Sequence, residues 1–294
     1  MPLGEYAQRF TANLDTIVTR EALTTDLNLN QDLVGEVNGV GEVKVPKMTM
    51  DGLANYDRQN GFAPGDITTA WETVKLAYDR GREFEVDAMD DDERAAVISA
   101  NIMAEFARTQ VIPEIDAIRF ARLAAKAGNT QAANLTAAAA TLDAVVSGEE
   151  ALEDAGADLS QCILYCTSAV KGLLRKAQPY RLNQGENPNG RFVMFDDMKV
   201  VTVPSARFST EITLNDGTTS GQTAGGFKAS GTAINFMIVH PAAAAAIQKH
   251  LALRYFAPEV NQAKDAHKWQ YRVFHDLFVF DNKAPLIYCH KAGA

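Results

Sequence analysis

The densest run of chemically capable side chains is "YDRGREFEVDAMDDDE", residues 78–93, with five carboxylates inside "DAMDDDE". Carboxylates this close can hold a divalent cation or share acid–base work, so a metal-dependent hydrolase is one reading of the run. Such a site needs further ligands converging from elsewhere, and the first half of the chain has no histidine. The same spacing has a structural use. Asp90 stands three residues before Glu93, where an i, i+4 apolar stripe of Ile98, Ile102 and Phe106 begins. An Asp N-cap with Glu at the third helical position satisfies the free amides of a first turn and complements the helix dipole. The expectation is a helix cap made by Asp90 and Glu93, with no metal.

The other chemical candidates reduce in the same way. Cys162 and Cys166, with Cys289 and His290, could be read as a zinc set. However, "CILYC" reads as a strand, and four steps of strand cover roughly 13 Å. That is too far for two thiolates sharing one zinc at about 2.3 Å each, so the cysteines are expected to be buried free thiols. His240, His250, His267, His275 and His290 form no HExxH arrangement, and His275 in "VFHDLF" is expected in the core or on a sheet face. "GTTSGQTAGGFKASG" lacks the GK[ST] ending of a phosphate loop and reads as a flexible loop. There is no GxSxG elbow. No catalytic residue, cofactor or metal ligand is expected.

The elements that carry these residues can be read from periodicity. Residues 5–30 suggest a weakly amphipathic helix and an open arm. In "GEVKVPKMTM", Val43 and Val45 share one face and Met48 and Met50 the other, so a bulge is expected at Pro46–Lys47. A second alternating run covers Thr73 to Asp79, and "DGLANYDRQNGFAPGD" forms a polar tip between the two. Together they make a long two-stranded ribbon, which is marginal alone and needs something to lie against. A short strand follows, with Phe84 and Val86 in. The helix that Pro113 restarts or kinks then runs to Gly128, read as its carboxy-terminal cap. An alanine-rich helix spans 134–156, with Ser147 to Glu150 as a capping box inside it. Beyond 160, "CILYCT", "RFVMF", "MKVVTVP", "INFMIV", "VFHDLFVF" and "LIYCH" read as strands. "SAVKGLLRKA" and "PAAAAAIQKHLALRYF" read as helices. Without regular βαβ alternation the fold class is α+β.

Bulk properties bound the function. The chain has 294 residues, 47% hydrophobic and 22% charged, with 37 acidic against 28 basic side chains and a net charge of −9. The composition is that of a soluble globular protein, and the negative balance with no Lys/Arg-rich run disfavours polyanion binding. Three irregularly spaced cysteines argue against a disulfide framework and for a reducing compartment at synthesis. The opening "MPLGEYAQRF" has no signal-peptide core, and no run approaches the length of a membrane span, so no membrane association is expected.

Two stretches carry a family resemblance. They are "KVPKMTMDGLANYDRQNGF…ITTAWETVKLAYDRGREFEVDAMDDDE" with "FARTQVIPEIDAIRFARLA", and "VVTVPSARF", "INFMIVHPAA" and "RYFAPEVNQAKDAHKWQYRVFHDLFVFDNKAPLIYCHK". From about residue 35 to 291 the chain resembles the major capsid proteins of tailed bacteriophages, which have the Hong Kong 97-type fold. The resemblance implies an amino-terminal arm (1–38), an extended loop (39–86), a peripheral domain with a long spine helix (87–129 and 266–294) and an axial domain (130–265).

The function this implies is self-assembly into an icosahedral shell enclosing a phage genome. The protein would be made and assembled in the host cytoplasm and end in the virion. Its partners would be copies of itself in hexamers and pentamers, a portal, possibly scaffolding or decoration proteins, and double-stranded DNA held without sequence recognition. An acidic subunit suits such a shell. Within the same fold, an encapsulin-like nanocompartment is the alternative. Some 35 residues precede the first ribbon strand, too few for a sizeable cleaved scaffold segment. Lys44, Lys47 and Asn55 lie in the loop, but nothing marks them as crosslinking residues. The expected subunit interface comprises Tyr56, Phe62 and Trp71, whose side chains a thin ribbon cannot bury. Asp57, Arg58, Asp79, Arg80 and Arg82 are expected to form ion pairs between subunits.

Overall fold

A computed structural model describes residues 22–28, 42–56, 58–59, 61–89, 103–177, 182–187 and 190–293. The helix and arm expected over 5–30 lie mostly outside these. The ribbon is formed by β1 (Glu42–Met50) and β2 (Ile67–Lys75), which pair antiparallel. Their register runs unbroken from Glu42↔Lys75 to Met50↔Ile67, so the bulge expected at Pro46–Lys47 is absent. A phase slip in apolar residues marks a bulge only where one face is buried. Here residues 48–50 and 62–70 are exposed on both faces. The second ribbon strand also starts earlier than its alternation suggested and stops before Tyr78.

Tyr78 opens β3 (Tyr78–Asp87) after a two-residue link from β2. The chain is next described at Met103, where it is helical. A π-turn over Ala107–Val111 precedes α1 (Ile112–Lys126). Pro113 has no amide hydrogen and its ring crowds the carbonyl one turn back, so the helix widens to pass it. Gly128 is not a left-handed cap. It donates to Ala284 O at 2.9 Å, and a Cβ there would stand 2.7 Å from that carbonyl, so close backbone approach requires the glycine.

The remaining elements are β4 (Asn129–Ala132), α2 (Ala138–Asp154), β5 (Ile163–Thr167), α3 (Ser168–Ala177), β6 (Leu182–Asn187), β7 (Gly190–Phe195), β8 (Met198–Val203), β9 (Ile212–Leu214), β10 (Phe227–Ala229), β11 (Ile234–Val239), β12 (Ala244–Phe256), β13 (Ala266–Val279) and β14 (Ile287–Lys291). The fold is α+β. A seven-stranded mixed sheet has the order β4-β14-β11-β5-β8-β7-β6. Alternate residues of β5 face opposite sides: Ile163 and Tyr165 pack with Phe120 and Leu123 of α1, Leu164 and Cys166 with Val145 and Leu152 of α2. A sheet covered on both faces reads as continuous apolar runs, which is why "CILYCT" and "INFMIV" stood out.

Two sequence expectations fail here for physical reasons. "PAAAAAIQKHLALRYF" is not a helix. Pro241–Ala243 makes one 3-10 turn, capped by His240 accepting from Ala242 N, and β12 then pairs with β13 along its length. Ala244 and Ala246 fill one apolar cluster while Ala245 fills the opposite one, so tertiary burial overrides the helix preference of alanine. The capping box at Ser147–Glu150 does not form, because Ser147 sits mid-helix and donates to Asp143 O. Gly148 beside it lets α2 approach the sheet, since a Cβ would meet Ile238 Cδ1 at 2.9 Å. The sheets join strands far apart in sequence: β12 pairs with β13, which pairs with β3 in a three-stranded sheet, and β14 joins the seven-stranded one.

The helical stretch from Met103 through α1 spans both sheets. Its first part packs Met103, Val111, Ile112 and Ile115 on Trp269, Tyr271 and Val273 of β13. A short piece of the amino-terminal region is pinned against α1. The buried Asp116 carboxylate accepts from Thr24 Oγ1 at 2.8 Å and from the Leu23 and Thr24 amides, while Arg119 donates to Thr24 O and Oγ1.

Candidate assembly interface

The ribbon displays apolar side chains that the chain itself does not cover. Met48, Met50, Leu53, Tyr56, Phe62 and Ile67 are all exposed, Phe62 at 88% and Tyr56 at 60%. At the tip Tyr56 and Phe62 meet edge-to-face with ring centroids 4.8 Å apart, a favoured aromatic geometry. Asp51 closes the end of the ribbon by accepting from the Asp66 amide at 2.8 Å, and Glu42 pairs with Lys75 at the root at 3.1 Å. Each contact is local, so the tip is held in shape while its apolar surface stays in water.

Below the root, β3 carries a row of acids facing bases on β13 and on the turn just before it. Asp79 pairs with Arg272 (2.9 Å to Nε), Glu83 with Lys268 (2.8 Å), and Glu85 with Lys264 (2.8 Å). Lys268 and Gln270 lower the pKa of Glu83, and Lys264 that of Glu85, because each donor favours the anion. Arg80 takes Glu114 of α1 at 2.6 Å and also donates to the carbonyls of Asn215 and Gly226, the two stems of the glycine-rich loop. Arg82 donates to Thr223 O in the same loop. The loop roofs a cavity of about 220 Å³, lined also by Gln110, Tyr271 and His275.

No protein-family model and no curated protein matches the chain. Solved structures do match. One from Gordonia phage Cozz has TM-score 0.62 at 16% identity, covering 88% of this chain and 84% of its own. The capsid of cyanophage P-SCSP1u has TM-score 0.58 at 10% identity, covering 88% and 85%. A virus-like particle from Pyrococcus furiosus has TM-score 0.54 at 11% identity, covering 97% and 99%. The chain has the Hong Kong 97-type capsid fold.

On this fold the sequence-expected residues fall as follows. Tyr56, Arg58 and Phe62 are exposed at the ribbon tip. Trp71 pairs with Pro46 in the ribbon register, and its side chain lies outside the described residues, as does Asp57. Asp79, Arg80 and Arg82 find partners within their own chain, where neighbouring subunits had been expected to supply them. The sequence gives no sign of this, because Glu114 and Arg272 are 34 and 193 residues away. Met48, Met50, Leu53 and Ile67 are not among the expected contacts, although Leu53, an apolar side chain in a stretch of turn residues, is a readable signal.

The Asp90–Glu93 cap lies outside the described residues. Among the described residues no group of three or more His, Cys, Asp or Glu is placed to hold a metal ion. Cys162, Cys166 and Cys289 are buried free thiols, each pushed up to about 12 mainly by desolvation. Burial, with Arg119 and Arg80 nearby, holds the His275 imidazole down to about 3. It is neutral at physiological pH, with Nδ1 buried and without a hydrogen-bond partner among the described residues. Among the described residues no helix is long and apolar enough to cross a membrane.

Proposed function

We propose that this chain is the major capsid protein of a tailed bacteriophage, a non-enzymatic subunit that assembles with copies of itself into an icosahedral shell around the genome. The observation that carries this reading is the exposed apolar ribbon on a capsid-type fold. Covering one such side chain stabilises by about 1.5–3 kcal/mol, and a closed shell repeats the contact at every subunit. In this reading the ribbon (39–86) is the extended loop and 1–38 the arm. Residues 87–129 and 266–294 form the peripheral domain with its spine helix, and 130–265 the axial domain. Tyr56, Phe62 and Trp71 are the apolar contacts. Asp57, Arg58 and Arg82 offer intersubunit charge pairs that contribute about 0–1 kcal/mol each and set register more than strength.

The copies form hexamers and pentamers in the host cytoplasm, join a portal and any scaffolding or decoration proteins, and enclose double-stranded DNA without reading its sequence. The net charge of −9 suits containment without adhesion. A second reading is an encapsulin-like nanocompartment, favoured by the near full-length match to the Pyrococcus furiosus virus-like particle. Negative-stain microscopy of the expressed protein tests the shared claim, with closed shells or capsomers expected. The Tyr56→Ala/Phe62→Ala and Trp71→Ala variants should stay folded and fail to assemble. Normal shells from both variants, equally resistant to denaturant, would remove the ribbon from the interface. Packaged nucleic acid against packaged protein in particles from the native source separates phage shell from compartment.

A further inference from the structure

The ribbon is a lever, and its root is clamped. Nine residues of strand extend about 30 Å, so a 10° swing at the root moves the tip by about 5 Å, more than the length of a hydrogen bond. Only Leu76 and Ala77 join β2 to β3. Leu76 is buried with Ile247, Phe278 and Phe280. The Ala77 amide donates to Asp276 Oδ2 at 3.1 Å, and Asp276 is itself 3% exposed. The same carboxylate takes the Arg122 fork of α1, Nε on Oδ1 and Nη2 on Oδ2, both at 3.1 Å, and accepts the Leu277 amide at 2.8 Å. The Arg122 guanidinium lies 5.1 Å over the ring of Tyr78, the first residue of β3, whose other neighbour is the His275 ring at 6.1 Å.

A buried carboxylate with four donors is held in one geometry. Losing the fork leaves it uncompensated, so the clamp has little room for intermediate states. Ala77 in the junction and Tyr78 beside it are thereby both tied to α1.

We propose that Asp276 and Arg122 are positioning residues for assembly: they fix the direction in which each copy presents its ribbon tip. The inference rests on the reading of the ribbon as the assembly surface. Its test uses the full-length chain with nitroxide labels at Ala54→Cys on the tip and Glu153→Cys on α2, both exposed. The native cysteines are buried and escape labelling.

Spin–spin distances in unassembled protein should give one narrow peak. Arg122→Met, which keeps the stem of a side chain 40% exposed, should broaden or split it, and so should Asp276→Asn, which leaves an acceptor for Ala77. In both variants closed shells should give way to open or polymorphic products. Arg122→Lys, a point charge without the fork, should not restore the single peak. A melting temperature that falls while the peak stays narrow in both variants would make the pair merely structural and overturn the proposal. A broadened peak with normal shells would overturn it too, while leaving the assembly reading intact. If the wild type forms no shells under any condition, the assembly reading fails first, and the distance data still report whether the clamp holds the ribbon.

Discussion

Arg80 of β3 and Glu114 of α1 meet side-on, with Nε 2.6 Å from Oε1 and Nη2 3.2 Å from Oε2. The pair is mostly buried, and Arg80 carries two loop carbonyls as well. One guanidinium thus joins β3, α1 and both stems of the glycine-rich loop. Glu114→Gln leaves that charge with carbonyls alone. The expected loss is about 1–3 kcal/mol, seen as a lower urea midpoint at unchanged slope. A midpoint equal to wild type would show that the loop carbonyls suffice.

Gly148 gives a second expectation. Alanine normally favours a helix interior by up to about 1 kcal/mol. At this position its methyl group would press on Ile238 and the Tyr288 ring, so Gly148→Ala should destabilise by about 1–3 kcal/mol. A thermal melt above that of wild type would mean that α2 can move off the sheet freely.

His275 sets an acid limb. Its folded pKa, about 3, is below the unfolded value of 6.5, so the unfolded chain binds a proton that the folded chain refuses. The contribution is complete above about pH 6.5 and is lost as pH falls towards 3, at up to about 1.4 kcal/mol per pH unit. The difference in urea midpoint between wild type and His275→Leu should therefore change steadily across that window and level off above it. A difference independent of pH would assign the imidazole an ordinary, solvated titration.

The proposed Asp90–Glu93 cap predicts that Asp90→Ala costs about 0.5–2 kcal/mol and that Asp90→Ser recovers most of it. EDTA should leave all three melts unchanged. A wild-type melt that collapses in chelator would instead identify the acidic run as a cation site.

Much of the fold was legible because burial on both faces writes itself as unbroken apolar runs, as in β5, β11 and β14. The ribbon was legible from alternation and turn residues, but not its register, since residues 48–50 and 62–70 are exposed on both faces and do not fix the phase. β12 was illegible for the opposite reason: Ala244 to Ala246 are chosen for size between two apolar clusters, and composition alone reads them as helix. Of the assembly surface, Tyr56 and Phe62 could be found as aromatics stranded on a thin ribbon. The partner of Arg80 and the pairing of Arg122 with Asp276 could not, because they are set by how β3 and β13 meet α1, a tertiary relationship with no local period.

The uncovered ribbon also has a chemical lifetime. Met48, Met50 and Met89 are exposed thioethers, and solvent-facing methionine oxidises readily to a polar sulfoxide. For Met48 and Met50 the damage falls on the proposed assembly surface. On that proposal a subunit that waits unassembled ages towards incompetence, whereas one already in a shell would have those sulfur atoms shielded by its neighbours.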